Sequence, residues 1–511
     1  MNDANGRLSS DCELAEQGES TDLEAMTGTD HGEIFQPTLS ADAPSRFSHS
    51  QLQMLSTIHK LLRYPPQGSL EVRPTSWLDG VRGIAALEVY IFHTMALWAS
   101  VAPAWSPETG EKNYLQWPIL RTFFISGGTA VCLFFVLSGY VLTHKSLRWL
   151  REGFPEKLQV YPAIASSLFR RGLRLYLPPV LLTFCEMLAT RCGVSPPLNF
   201  MFIPEPTLLA QFVDWLKEIN RFVNPVYNFP SAVQGSAIGM KYDPVVWTLP
   251  LEYYGSLLCY MFLFVFVRIE KVWLRMGLLT FFSGSFLLIG SWNLFCFLAG
   301  MLIADFHLIQ EENDQKPSIQ HGVIWTTLFA IAFYVAGLPS LGSPIARMQP
   351  MPGFEILHAL TPMNLSMEDH SRFWWSISGV LMLLAISQLP RLKKLFETNF
   401  CQYMGKIAFS LYLIHEFCLV LFGLSLQSFM MRLEPTAGTF GYWLLCVVWY
   451  ILFTVPTFAL AAQVEVCMRI PIRKSCFPMG ADEAVSGDYM PASETALRLL
   501  GSVQALNFYL C

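Results

Sequence analysis

Long apolar runs broken by short polar stretches fill the chain from about residue 77 to residue 470. A helix needs roughly 20 mostly apolar residues to cross a bilayer. Runs of that kind recur at about 82–102, 121–143, 172–190, 248–268, 275–290, 292–308, 321–339, 373–389, 407–428 and 440–466. The fifth and sixth are short and share the hinge Gly290-Ser291-Trp292-Asn293, which reads as a tight hairpin or as one broken segment. The pattern predicts an all-α fold, a polytopic transmembrane helical bundle with about ten spans.

The flanks differ from this middle. Residues 1–46 hold ten acidic residues and only two arginines, Arg7 and Arg46. Such a stretch cannot bury enough apolar surface to fold, which predicts a disordered acidic cytoplasmic tail over residues 1–50. It has no basic segment followed by an apolar one, so the first spanning helix is expected to act as the insertion signal. Residues 51–76 form a lead-in with Leu52, Leu55, Ile58, Leu61 and Leu62 at helical spacing. That spacing fits a helix on the membrane surface, or a plain tail helix packed on the domain. The membrane domain is expected over 77–470 and a cytoplasmic tail over 471–511. The segment 191–246 is rich in Pro, Asn and Phe. It is long for an unstructured loop, and is expected to cap the membrane domain or shape a substrate entrance.

Basic residues set the orientation. Arg148, Arg151, Arg170, Arg171 and Arg174 lie between the second and third runs, Arg268 and Lys271 after the fourth, Lys393 and Lys394 after the eighth, and Arg469 and Lys474 after the tenth. With ten spans these sites share one side, assigned to the cytoplasm together with both termini. The acidic stretch 307–320, with Glu311, Glu312 and Asp314, departs from the rule. The sequon Asn364-Leu365-Ser366 falls on the opposite side, where a glycan would be added. An endomembrane such as the endoplasmic reticulum fits this layout.

Composition agrees with a membrane class. Hydrophobic residues make up 53% and charged residues 14% of 511 residues, with mean hydropathy +0.38. Soluble chains carry roughly 25% charged residues. The net charge of -5 gives no footprint for nucleic acid. Twelve cysteines are scattered without a CxxC pair, so neither a disulfide framework nor a metal site is expected.

Arg82 and His93 stand eleven residues apart in the first run. At 100° per residue they share a helical face, separated by roughly 16 Å along the axis. That places His93 near the bilayer middle, where an ionisable group is costly and marks a functional candidate. The alternative is a buried histidine bonded to a neighbouring helix. Glu88 lies about 140° from His93 and faces elsewhere, towards another helix or an extended acceptor pocket. Arg171 and Arg174 share a face at the expected cytoplasmic end of the third span. They suit either phosphate contact or ordinary anchoring to anionic lipid. Glu252 follows Pro250 in the first turn of the fourth span, where an acid suits the helix dipole. His415 lies about nine residues into the ninth, at a depth close to that of His93.

These residues sit in ordered blocks. Trp77-Leu78-Asp79-Gly80-Val81-Arg82-Gly83-Ile84-Ala85-Ala86 with its later His93 resembles the opening helix of the acyltransferase 3 family. Phe134-Phe135-Val136-Leu137-Ser138-Gly139-Tyr140 is similar to a second block of that family. Arg170-Arg171-Gly172-Leu173-Arg174 resembles its R-x-x-R signature, and Val246-Trp247-Thr248-Leu249-Pro250-Leu251-Glu252 its Trp- and Glu-containing block. Ser410-Leu411-Tyr412-Leu413-Ile414-His415 resembles its late histidine block. Five short blocks in order across residues 77–416 form a specific signal, closest to the fungal branch that decorates secondary metabolites.

The resemblance implies a membrane-embedded O-acyltransferase, with acetyl the default group, moving an acyl group from acyl-CoA to a hydroxyl of a terpenoid or polyketide. It implies His93 as catalytic residue, as general base or as acyl carrier, and Arg82 as an orienting group. It implies Arg171 and Arg174 as acyl-CoA-binding, and Glu252, Trp247 and His415 as acceptor-side or structural. Acyl-CoA is a co-substrate, and no further cofactor is expected. The partners are then acyl-CoA, a small hydroxylated acceptor and the lipid bilayer. Alternatives are an acyltransferase for polysaccharide or lipid, a membrane acyltransferase class in which His415 is catalytic, a receptor that has lost activity, and a secondary transporter. No internal repeat of the kind common in transporters is visible.

Overall fold

The computed structural model describes residues 73–100, 105, 113–197, 202–313, 319–339, 352–365, 367–434 and 436–474. The expected tail 1–50, residues 51–72 of the lead-in and residues 475–511 lie outside these. The described residues form α-helices and short 3₁₀ turns with no strand among them. The helices are α1 (Ser76–Met95), α2 (Pro118–Ile125), α3 (Gly127–Glu152), α4 (Val160–Arg191), α5 (Leu208–Val223), α6 (Pro225–Val233), α7 (Thr248–Phe266) and α8 (Val272–Leu288). They continue as α9 (Trp292–Glu312), α10 (Ile319–Ala336), α11 (Glu355–Leu360), α12 (Met367–Gln388), α13 (Pro390–Phe396), α14 (Asn399–Cys418), α15 (Leu424–Leu433) and α16 (Phe440–Lys474).

Each of the ten apolar runs contains a helix. Among the described residues, six are long and apolar enough to cross a membrane by themselves. The count is seven if α12 and α13, bent by 103° at Leu389, are one span. The ten-span expectation exceeds this because α8 and the apolar part of α10 are short and α1 carries Asp79, Arg82 and Glu88. The chain is an integral membrane protein on this evidence. The fifth and sixth runs resolve as two packed helices, α8 and α9, joined through Gly290 at φ 87°.

Two parallel helix pairs organise the bundle, and glycine sets their spacing. A Cβ on Gly83 of α1 would fall 2.3 Å from the Gly405 backbone nitrogen of α14. A Cβ on Gly139 of α3 would fall 2.1 Å from the Phe297 carbonyl of α9. Small residues let membrane helices approach to backbone contact, where van der Waals packing replaces the absent hydrophobic drive. The glycines of the first two sequence blocks thus act in packing.

The α3–α9 pair is clasped at its C-terminal end. Arg151 bonds Asp305 Oδ1 at 2.7 Å and Glu312 at 2.7 Å, and Arg148 bonds Glu311 at 3.1 Å. The acidic stretch that broke the charge rule is therefore paired with basic residues of α3. Glu88 is bonded to the hydroxyl and backbone N–H of Ser126 at the start of α3, and so complements that helix N-terminus. Asn364 is exposed and donates to the Leu288 carbonyl, while Ser366 of its sequon lies outside the described residues. The nine described cysteines are all free.

Three boundaries differ from expectation. α1 ends at Met95, not near residue 102. His93 therefore occupies the last turn of its own helix. α4 begins at Val160, about three turns before the expected 172. The segment 191–246 is largely helical: α5 and α6 lead into a strap against the N-terminal end of α9, where Asn293 donates to Ala232 O and Trp292 to Gly235 O.

Candidate active site

α14 does not stop at Cys418. A π-helical turn, Leu419–Gly423, carries it into α15, so the rod runs from Asn399 to Leu433. Such turns often mark functional positions. His415 sits near the middle of this rod. The Gly83–Gly405 contact sets α1 and α14 side by side, and His93 arrives opposite His415. The two imidazoles stack with centroids 5.1 Å apart.

His93 Nδ1 lies 2.8 Å from His415 Nε2. On its other side, His415 Nδ1 faces the carbonyl oxygens of Leu411 at 3.0 Å and Tyr412 at 2.8 Å. Carbonyl oxygens only accept, so His415 carries its hydrogen on Nδ1. The lone pair of neutral His415 is then on Nε2, and His93 must donate to it from Nδ1. The lone pair of His93 is left on Nε2. Thus one backbone turn of α14 fixes the tautomers of both rings. His415 is 1% exposed, whereas the His93 side chain keeps 21% of its surface.

Glu416 completes the cluster. Its Oε1 stands 3.3 Å from His93 Nδ1, and both its oxygens are buried without a hydrogen-bonded donor. It stands beside a ring that would become cationic on taking a proton. Glu416 was missed in the sequence because the matched block ends at His415. An ionisable residue inside an apolar run was the available signal. His93, His415 and Glu416 offer ligand atoms within 4.8 Å of one another, a set that could also hold a metal ion. Two nitrogens bound tetrahedrally to zinc stand about 3.3 Å apart. The 2.8 Å spacing matches a hydrogen bond better.

The arginines converge at another level. Arg82 bonds Asp79 at 2.9 Å and the Gly405 carbonyl at 2.7 Å. Arg171 donates to Ser256 Oγ at 2.5 Å and to Glu252 Oε1 at 2.7 Å, and Ser138 donates to that same oxygen at 3.1 Å. Three of the sequence blocks thus meet in one network. Arg174 has no hydrogen-bonded partner among the described residues and is exposed, with Arg82, Arg171, Glu252 and Glu465 as charged neighbours. Arg171 and Arg174 stand about 16 and 21 Å from the start of α4. Residues 160–170 precede them in the same helix, so these arginines stand inside α4 and not at its first turn. Trp247 lies against Trp292, with ring centroids 6.3 Å apart and the planes tilted by 58°.

The comparison with known families bears on this arrangement. The acyltransferase 3 model, described as an acyltransferase domain, matches residues 75–462, which include every residue of the two clusters except Glu465. The chain belongs to the acyltransferase 3 family. It is an acyltransferase by that membership. O-acetyltransferase PaAT-1 of Phomopsis amygdali is 30% identical over 370 residues, covering 67% of this chain and 71% of that protein. Acyltransferase R4 of a Phoma species is 25% identical over 424 residues, 73% of this chain and 87% of the relative. Acyltransferase clz18 of Cochliobolus lunatus is 24% identical over 407 residues, 69% and 84%. No solved structure matches the chain significantly.

Proposed function

We propose that this acyltransferase is an acyl-CoA-dependent O-acetyltransferase whose acceptor is a small hydrophobic hydroxylated natural product. The observation that carries the chemistry is the His415–His93 contact, which leaves a lone pair on His93 Nε2. In this reading an acceptor hydroxyl gives its proton to Nε2 as its oxygen attacks the thioester carbonyl. The tetrahedral intermediate collapses, the C–S bond breaks, and the CoA thiolate takes the proton back from His93. The ester and free CoA leave with no net proton uptake. General-base help of this kind contributes typically 10²–10⁴-fold. Glu416 Oε1, 3.3 Å from His93 Nδ1, faces the transient imidazolium.

Arg174 supplies the donor side. Arg174 is exposed and without a hydrogen-bonded partner, and so is free to meet a phosphate, which arginine binds with a planar fork. Arg171 is committed to Glu252 and Ser256 and holds α4 against α7. The earlier pairing of Arg171 with Arg174 as joint phosphate contacts is thus narrowed to Arg174. The O-acetyl assignment draws support from the name of the Phomopsis relative. The ten-helix topology with both termini on the cytoplasmic side, in an endomembrane, belongs to the same proposal. It puts the arginines on the side where acyl-CoA is made.

The test is to incubate membranes containing the chain with labelled acetyl-CoA and a panel of hydroxylated terpenoids, polyketides and sugars. Label is expected on an apolar hydroxylated acceptor. Transfer only to sugars or lipid would overturn the acceptor class. Transfer from no donor to any member, with the protein folded and abundant, would overturn the reading.

A further inference from the structure

The helix α5 is amphipathic the wrong way round for a loop in water. Leu209, Phe212, Val213 and Leu216 are exposed, Leu209 to 72%. Gln211, Asp214, Glu218 and Arg221 turn inward. Gln211 is fully buried and donates to the Tyr242 hydroxyl at 2.5 Å, and that hydroxyl donates to Asp214 at 2.7 Å. Lys241 bonds Asp214 at 2.8 Å, and Arg221 bonds both Glu218 at 2.8 Å and the Gly239 carbonyl at 2.7 Å. A surface helix normally does the reverse, burying its apolar stripe and wetting its charges. On α6, Val226 and Phe229 add further exposed apolar surface. A patch of this size on a soluble surface marks an interaction site.

The neighbouring surface says what covers it. α5 packs on α4, with Trp215 Nε1 donating to Thr183 at 3.2 Å and its ring 5.3 Å from that of Phe184. α4 belongs to an apolar span whose Leu177, Leu181 and Leu188 are likewise exposed. The outer face of α5 therefore continues a lipid-facing surface. It ends in Lys217 and Asn220, both exposed, as a helix reaching the headgroup level would.

We propose that Leu208–Val223 is an interfacial helix seated on the bilayer, with Leu209, Phe212, Val213 and Leu216 at the acyl-chain boundary. Its partner is lipid, and its charged face is the lining that joins it to residues 239–242. This part of the segment expected to cap the membrane domain or shape an entrance thus belongs to the membrane-embedded body. This holds whatever chemistry His93 performs.

The experiment places the full chain in phosphatidylcholine vesicles doped with a phosphatidylcholine that carries a photoactivatable diazirine near its glycerol. After illumination, adducts are mapped by mass spectrometry. Lipid adducts are expected on Leu208–Leu216 at a yield within about twofold of that on Leu177–Leu188. A Leu209→Asn, Leu216→Asn double variant is expected to lose most adducts on α5 while keeping those on α4. Adducts on α4 with none on α5, together with hydroxyl-radical oxidation of Phe212 from the water side, would overturn the proposal. So would crosslinks from α5 to a second copy of the chain in place of lipid.

Discussion

His93 Nδ1 and His415 Nε2 meet at 2.8 Å across two parallel helices held at backbone contact by Gly83 and Gly405. The hydrogen on His415 Nδ1 is pinned by two carbonyl oxygens. Replacing His415 with Ala removes the acceptor that fixes the His93 tautomer. A fall in kcat of about 100-fold is expected, with the donor KM nearly unchanged. His415→Gln, whose side-chain oxygen can accept from His93, should recover part of that loss. A purely structural His415 would give no rescue, and kcat and thermal stability would fall together.

Arg174→Ala should raise the KM for acyl-CoA about tenfold or more, the cost of one charge-assisted contact of about 1.5–3 kcal/mol. Its kcat should change little. Steady-state kinetics with varied acetyl-CoA checks this. An unchanged donor KM would return Arg174 to anchoring lipid headgroups.

Arg171→Ala should act differently, through stability. It strands Glu252, and both side chains keep only about a fifth of their surface exposed. Breaking such a pair costs about 2–3 kcal/mol, below the range for a fully buried pair. The double variant Arg171→Ala, Glu252→Gln should be less destabilised than the two single losses summed. Thermal melts in detergent report the difference. Strict additivity would mean that the 2.7 Å contact contributes nothing.

Gly405→Val should abolish activity and lower the folded yield. Its Cβ would fall 2.3 Å from the Asp79 carbonyl and force α1 away from α14. Gly239→Ala, where an added Cβ meets nothing within 4 Å, should leave both unchanged. Size-exclusion profiles and transfer rates for the two variants decide it.

The direct-transfer chemistry predicts no acylated protein. Enzyme mixed with labelled acetyl-CoA without acceptor, then acid-quenched, should carry no label on His93. A stable label there would favour the acyl-histidine route through the same nitrogen.

Much of this was legible in the sequence, and the failures have physical causes. Apolar runs mark helices because lipid leaves no other way to satisfy the backbone, so every expected run contains one. Their ends are not encoded that way. The start of α4 at Val160 was hidden because Pro162, Ser166-Ser167 and Arg170-Arg171 interrupt its apolar positions, and that hid how far along the helix Arg171 and Arg174 stand. The block resemblance brought out Arg82, His93 and His415 but stopped one residue short of Glu416. The pairing of Glu252 with Arg171 and Ser138 joins positions 81 and 114 residues apart, and no local pattern reports it. α5 was not singled out within 191–246 because Asp214, Glu218 and Arg221 look like the charges of a wet helix. Only the fold reveals that they face inward.

The most direct test of the central claim replaces the base itself. His93→Gln, inserted in membranes to the wild-type level, is assayed with labelled acetyl-CoA and the acceptor that the wild-type protein acylates. Transfer no greater than in membranes lacking the protein is expected. Turnover within tenfold of wild type would contradict the assignment of His93 as the proton acceptor.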